Sequence, residues 1–177
     1  MELDIYQVDS FTTETFKGNP AGVCITDQPL EESLMFAIAA EMAVSETAFL
    51  SLSDMRLRWF TPEVEVKLCG HGTLAVAHVL KQQAKIATGD SITFNTLSGL
   101  LSVKVLSSTY ELDFPAPELE YNQHCSEERL RALGLSEQQV VSYCQFDSKE
   151  LFELSNEQAV HDPVSYTHLT LPTNDQV

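Results

Sequence analysis

The chain has 177 residues, 44% apolar and 20% charged, with a net charge of −16. That length allows one ordinary globular domain, or one domain and part of another, able to bury roughly 70% of its unfolded surface. The acidic balance disfavours nucleic acid as a partner, no apolar run approaches the ~18–20 residues of a membrane span, and the acidic, alternating start MELDIYQVDSF does not read as a signal peptide.

The first elements follow from alternation. LDIYQVDSF reads as a strand, a turn at Gly18-Asn19-Pro20 follows, and AGVCIT reads as the next strand. After Pro29, EESLMFAIAAEM places Leu34, Ile38 and Met42 at helical spacing with Met35 beside them, an amphipathic helix. ETAFLSL and RLRWF read as strands. VEVKL is a period-2 stretch with Val64, Val66 and Leu68 on one face. From His71 to Gln83 the composition is helical, and Leu74, Ala75, Val76, Ala77, Val79 and Leu80 cover nearly every side, so other elements must enclose this helix. SITFNT, GLLSVKV and TYELDF are three further strands. Many antiparallel strands around one enclosed apolar helix predict a barrel-like α+β domain over residues 1–114.

Residues 115–163 read as a linker, PAPELE, and the beginning of a second unit. SEERLRALG is a short helix with Ser126 as N-cap and Gly134 as its stop, and VVSYCQF and KELFEL are strands. The stretch VSYTHLTLPTNDQV has one charge and no periodicity. It resembles translated read-through at the end of a fragmentary gene model, so residues 164–177 are expected to be an artefactual, disordered tail.

Three places could carry chemistry. The Cys69-Gly70-His71-Gly72-Thr73 junction opens the enclosed helix. Unpaired N–H groups in a first helical turn attract an anion, and glycine lets a ligand approach the backbone. His71 can exchange a proton near neutrality, and Cys69 lies where thiol pKa values tend to fall. The same glycines could simply make a tight strand-to-helix turn. Glu46, between a helix and a strand, could act as a partly desolvated general acid and base, or be an exposed carboxylate beside a turn. Asn19 could orient a substrate carboxylate or belong to the turn alone. His71 and His78 are about two turns, ~10.5 Å, apart, too far to share a metal. Cys69 with His71 supplies at most two ligands, so no metal is expected. The four cysteines, Cys24, Cys69, Cys125 and Cys144, form no CxxC pair. They predict reduced thiols and a cytoplasmic setting.

Together, QVDSFT, FKGNPAGVC, EMAVSETAFL, LRWFTPEVEVKLCGHGTLAVAHVL and LDFP resemble, in order and spacing across roughly residues 4–115, the PhzF-like (phenazine-biosynthesis) isomerase family. The resemblance implies a diaminopimelate epimerase-like fold, in which two pseudo-symmetric halves each wrap a strand-rich barrel around a central helix, with the active site between them. It implies a cofactor-independent isomerase or epimerase in which a Glu moves a proton on a small carboxylic acid. Glu46 matches that Glu and His71 the active-site His. Gly70, Gly72 and Asn19 would line the substrate site. The epimerase relatives use two thiols, so Cys69 is read as a packing residue at the helix start, with a thiol role left open. The family's second half supplies an Asp and a Gly/Ser-containing motif that are not found here. The chain is therefore expected to represent a first half with a partial second half, weakly active or inactive alone. A small anionic metabolite is the expected partner, with no membrane or nucleic acid; a homodimer stays open. Two other readings remain: a non-catalytic ligand-binding or self-associating module, and a cysteine-dependent racemase or epimerase.

Overall fold

The computed structural model describes residues 2–116, 118–121, 124–146 and 149–161. The chain divides into two compact units, 1–115 and 116–177. The expected tail at 164–177 lies outside the described residues.

The first unit begins with β1 (Ile5–Ser10) and β2 (Asn19–Thr26), an antiparallel pair in which Ser10 sits opposite Asn19. In the connecting loop, Phe11 and Phe16 adopt positive φ (63° and 64°) and are mostly solvent-exposed. Helix α1 (Glu32–Met42) ends where Ala43 turns into the left-handed region at φ 52°. It returns the chain to β3 (Thr47–Ser51), which runs parallel to β2. The buried face of α1 centres on Met35 and Ala39, one position on from the expected Leu34 and Ile38 stripe. A second small core, with Cys24, Phe49 and Phe60, receives it there.

Strand β4 (Arg56–Phe60) pairs antiparallel with β3. The expected strand at VEVKL shrinks to the two-residue β5 (Glu65–Val66), and Val64 and Leu68 are exposed. Alternation there lacks a partner to extend it: β5 meets β4 only at Phe60 and Trp59. Glu65 is held instead by Arg58, whose guanidinium donates to both its carboxylate oxygens at 2.7 and 2.6 Å and to Glu32 at 2.6 Å.

Helix α2 (Gly70–Gln82) follows. Thr73, Ala75, Val76, Ala77, Val79 and Leu80 are buried in the main core among residues of β2, β3, β4, β6 and β7. Enclosure is not complete. His78 is half-buried and contacts the Tyr110 hydroxyl through Nδ1 at 3.1 Å. Strands β6 (Ser91–Thr96), β7 (Gly99–Val105) and β8 (Tyr110–Asp113) form an antiparallel run. The sheet order is β1-β2-β3-β4-β6-β7-β8, with β5 off β4. Most pairs are antiparallel, and β2–β3 and β4–β6 are parallel. The expected α+β sheet wrapped on one apolar helix is what forms.

In the second unit, β9 (Glu120–Tyr121) starts at the last residue of the expected linker PAPELE and pairs with β10. Helix α3 (Glu127–Leu133) has the expected caps: the Ser126 side chain accepts from the Arg129 N–H, and Gly134 is left-handed at φ 69°. A 3-10 turn (Glu137–Gln139) leads to β10 (Val140–Phe146), antiparallel to β11 (Lys149–Leu154), and a short α4 (Glu157–His161) follows. A cavity of about 360 Å³ in this unit is lined by residues including Tyr121, His124, Cys125 and Tyr143. None of the sequence-derived site residues lines it.

Candidate active site

The site forms where α2 begins, because three strands of chain are pinned around its first turn. The Ser10 hydroxyl, at the end of β1, donates to the His71 carbonyl at 2.8 Å. The Gly22 N–H on β2 donates to the Glu46 carbonyl at 3.1 Å. The Thr73 hydroxyl donates to the Cys69 carbonyl at 2.7 Å, reinforcing the first helical bond from the Thr73 N–H. The first ties His71 to β1, the second ties Glu46 to β2, and the β1–β2 pairing joins the two, while the third holds Cys69 to the helix start.

The side chains then converge. The His71 imidazole stands between two groups. Its Nε2 is 3.4 Å from Glu46 Oε2 and 3.3 Å from Ser45 Oγ, and its Nδ1 is 3.4 Å from Cys69 Sγ. One neutral tautomer satisfies all of these contacts, with Nε2–H facing Glu46 and Ser45 and Nδ1 accepting from the Cys69 thiol. The two Nε2 separations are longer than the 2.7–3.2 Å of well-formed N–H···O hydrogen bonds, as is common before a substrate tightens a site. The Glu46 side chain is 20% exposed and that of His71 is 11% exposed, so both are largely desolvated yet reachable. Burial pulls the His71 pKa below its ordinary value, and the Glu46 carboxylate partly opposes the shift. Burial is the larger cause, so the ring is neutral at pH 7.

The N–H groups of Gly70, His71 and Gly72 belong to the first helical turn, which has no carbonyl four residues back within the helix. They form the positive end of the helix dipole. The two glycines have different reasons to be glycine. At Gly72 a side chain would meet Trp59 Cδ1 at 2.9 Å and Cys69 Sγ at 3.0 Å, a close approach inside the core. The core therefore excludes a side chain at Gly72. At Gly70 the nearest obstacle is the Phe114 ring at 3.3 Å. Asn19 is exposed, at the start of β2 opposite Ser10, on the side of the sheet edge that Ser10 ties to His71.

The fold therefore brings Glu46, Cys69 and His71 together, while Asn19 is an exposed residue opposite Ser10 on the β1–β2 pair. His78 takes no part; it pairs with Tyr110 and Gln82. The two-ligand count drawn from Cys69 and His71 missed a third group. Glu46, 25 positions before His71, reaches the same point through the β2–β3 pairing, and neighbours in space from separate strands cannot be counted from spacing. Ser10 and Ser45 were also missed as site residues, although each stands inside a quoted motif. Two buried polar atoms, Thr47 Oγ1 and Trp59 Nε1, have no hydrogen-bond partner among the described residues.

A mixed sheet wrapped on an apolar helix places the first unit in the α+β class, consistent with the diaminopimelate epimerase-like fold. The family model for phenazine biosynthesis-like proteins matches residues 8–162, and the chain belongs to that PhzC-PhzF family. It is 40% identical over 164 residues to an uncharacterized isomerase of Halalkalibacterium halodurans, covering 92% of this chain and 61% of that protein. It is 46% identical over 145 residues to an uncharacterized isomerase of Pseudomonas aeruginosa, covering 80% and 54%. Among solved structures, a PhzF family protein of Enterococcus faecalis superposes with a TM-score of 0.81 at 36% identity, covering 97% of this chain and 65% of that one. A Pseudomonas aeruginosa protein described as a predicted epimerase shares the fold at a TM-score of 0.68 and 21% identity, with 92% and 62% covered. The chain thus spans about half to two thirds of the length of the relatives it matches. Among the described residues no helix is long and apolar enough to cross a membrane.

Proposed function

We propose that the chain carries the first-half active-site residues of a PhzF-like isomerase or epimerase acting on a small carboxylic acid. Glu46 is the general acid and base, taking a proton from one carbon and returning it to another. His71, neutral at pH 7, donates through Nε2–H and positions Glu46 and the substrate. The first-turn N–H groups of Gly70, His71 and Gly72 receive the substrate carboxylate, and Asn19 contacts it from the rim. The observation that carries this reading is the 3.4 Å approach of Glu46 Oε2 to His71 Nε2 at the start of α2. Proton transfer needs a carboxylate placed within reach of the reacting carbon, and a helix N-terminus holds the anion that carbon belongs to.

Activity of the whole enzyme requires the groups of a second half, so the 177-residue chain alone is expected to turn over slowly or not at all. The test is deuterium incorporation from D2O into a panel of small carboxylic acids, followed by NMR. The Halalkalibacterium halodurans relative is run with the chain in parallel. Exchange by the longer protein, abolished when its counterpart of Glu46 becomes Gln, supports the reading. Undiminished exchange in that variant ends it.

A second reading rests on the 3.4 Å contact between Cys69 Sγ and His71 Nδ1. There the thiolate of Cys69, with His71 as its proton partner, is the base. Replacing Cys69 by Ser separates the two: exchange survives under the carboxylate mechanism and is lost under the thiol mechanism.

A further inference from the structure

Glu46, Cys69 and His71 each offer one ligating atom, and these atoms lie within 4.8 Å of one another. Three points so spaced share a common point no more than about 2.8 Å from each (4.8 divided by √3), against zinc-to-ligand distances of about 2.0–2.3 Å. By distance alone the contraction needed is at most ~0.8 Å per ligand, to which a rotation of the Glu46 side chain must be added. The Cys69 Sγ to His71 Nδ1 separation, 3.4 Å, is already close to the ~3.5 Å edge that a tetrahedral S–metal–N pair requires.

The donor chemistry is suitable as well. One thiolate and one carboxylate neutralise a divalent cation, and a neutral imidazole completes a Cys/His/carboxylate set of the kind that soft to borderline cations prefer. Three protein ligands leave a fourth position for solvent. Glu46 now faces the opposite ring nitrogen, Nε2. To join a cation held by Nδ1 and Sγ it must swing across the ring edge, and its partial exposure gives it room.

We propose that Glu46, Cys69 and His71 form a binding site for a zinc-class divalent cation, and that occupancy is inhibitory. The cation takes Glu46 out of its contact with His71 and fills the space in which a proton would move. Metal and substrate then compete for one set of side chains. The inhibitory half of this inference rests on the acid–base role of Glu46; the binding half does not.

The test uses the reduced 177-residue chain titrated with Co²⁺ alone. The expected result is one equivalent bound, with the visible bands of tetrahedral cobalt, a near-ultraviolet thiolate-to-cobalt band, and displacement of both by Zn²⁺. Cys69→Ser should abolish the thiolate band. Glu46→Gln and His71→Gln should each weaken binding by about tenfold or more, since even outer-shell changes cost that much. Cys125→Ser, in the second unit beside His124, should leave the spectrum unchanged. Trp59 fluorescence checks that each variant is folded, and Cys69→Ala replaces Cys69→Ser if the latter is not. Absence of tetrahedral bands, their persistence without Cys69, or their loss in Cys125→Ser would overturn the site. Metal binding retained alongside failure of the Glu-dependent deuterium exchange would overturn the acid–base reading and the inhibitory role, and leave the site itself standing.

Discussion

Replacing Gly22 by Ala tests the packing that fixes Glu46. Gly22 on β2 is in register with Thr47 on β3, the residue after Glu46. A methyl there would sit 2.6 Å from Thr47 Oγ1, 2.9 Å from its Cγ2 and 3.1 Å from its Cβ. All three atoms belong to one β-branched side chain with 0% exposure, whose restricted χ1 leaves it nowhere to swing. Overpacking of this kind costs about 1–3 kcal/mol. For a unit of this size that lowers Tm by roughly 4–12 °C. Trp59 is the single tryptophan in the chain and is 1% exposed, so its fluorescence on heating reports the first unit. The control is Thr47→Ala in the same background. It removes the two closest clashing atoms, Oγ1 and Cγ2, and leaves only Cβ at 3.1 Å; it also removes a buried hydroxyl without a hydrogen-bond partner among the described residues, so the double variant should be more stable than the sum of the single changes by about 1 kcal/mol or more. An unchanged Tm in Gly22→Ala, or strict additivity in the double variant, refutes the steric account.

His71, followed by imidazole NMR, should titrate below its ordinary value. Glu46→Gln should lower it further, because the carboxylate is the group that opposes burial; an upward shift contradicts the assigned contact. His78 is also held low, by burial and then by Lys81. For both groups the unfolded chain binds the proton more readily, so their contribution to stability is present above the ordinary histidine pKa and is lost as pH falls through and below it. Acid titration of Tm should show that direction. In Ellman-type thiol labelling of the native chain, Cys125 should be the one fast-reacting thiol among the four, since Cys24, Cys69 and Cys144 are buried and burial, with Asp4 beside it, pushes Cys24 up to about 11; Cys125→Ser should abolish the fast phase. Arg58→Ala should cost about 1–3 kcal/mol in urea unfolding, because it strips a half-buried Glu65 of a bidentate partner and uncovers the Phe60 ring 4.8 Å below the guanidinium. Loss of less than ~0.3 kcal/mol would place it with ordinary exposed ion pairs.

Most of the first unit could be read from its residues. Apolar runs such as TAFLS and the alternation of SITFNT specify their strands directly, and the uncharged block after Gly72 specifies a helix that something must cover. The misreadings share one cause. Val64, Val66 and Leu68 alternate like a strand, but only a neighbouring strand can make that pattern bury a face, and β4 offers two residues of pairing. The α1 stripe is displaced by one position because Phe49 and Phe60, remote in sequence, decide which side of the helix is covered. Strand β9 was hidden because Glu120 and Tyr121 follow prolines and acids, and only pairing with Cys144 and Gln145 makes them a strand. At the site, the chemical types of Glu46 and His71 were visible in the residues, and their convergence was implied by the family resemblance and not by spacing. It depends on the parallel β2–β3 pair, on Ser10 and on Gly22, contacts made across up to 61 positions of sequence.

The hydrogen bonds that locate residues 46 and 71 end on their carbonyls. The frame grips these two positions by features that every amino acid possesses. Their side chains can therefore be exchanged without unfastening the scaffold, and new reactions can be tried in the same mould. Divergence of chemistry within one architecture is, in this protein, a property of where its anchors attach.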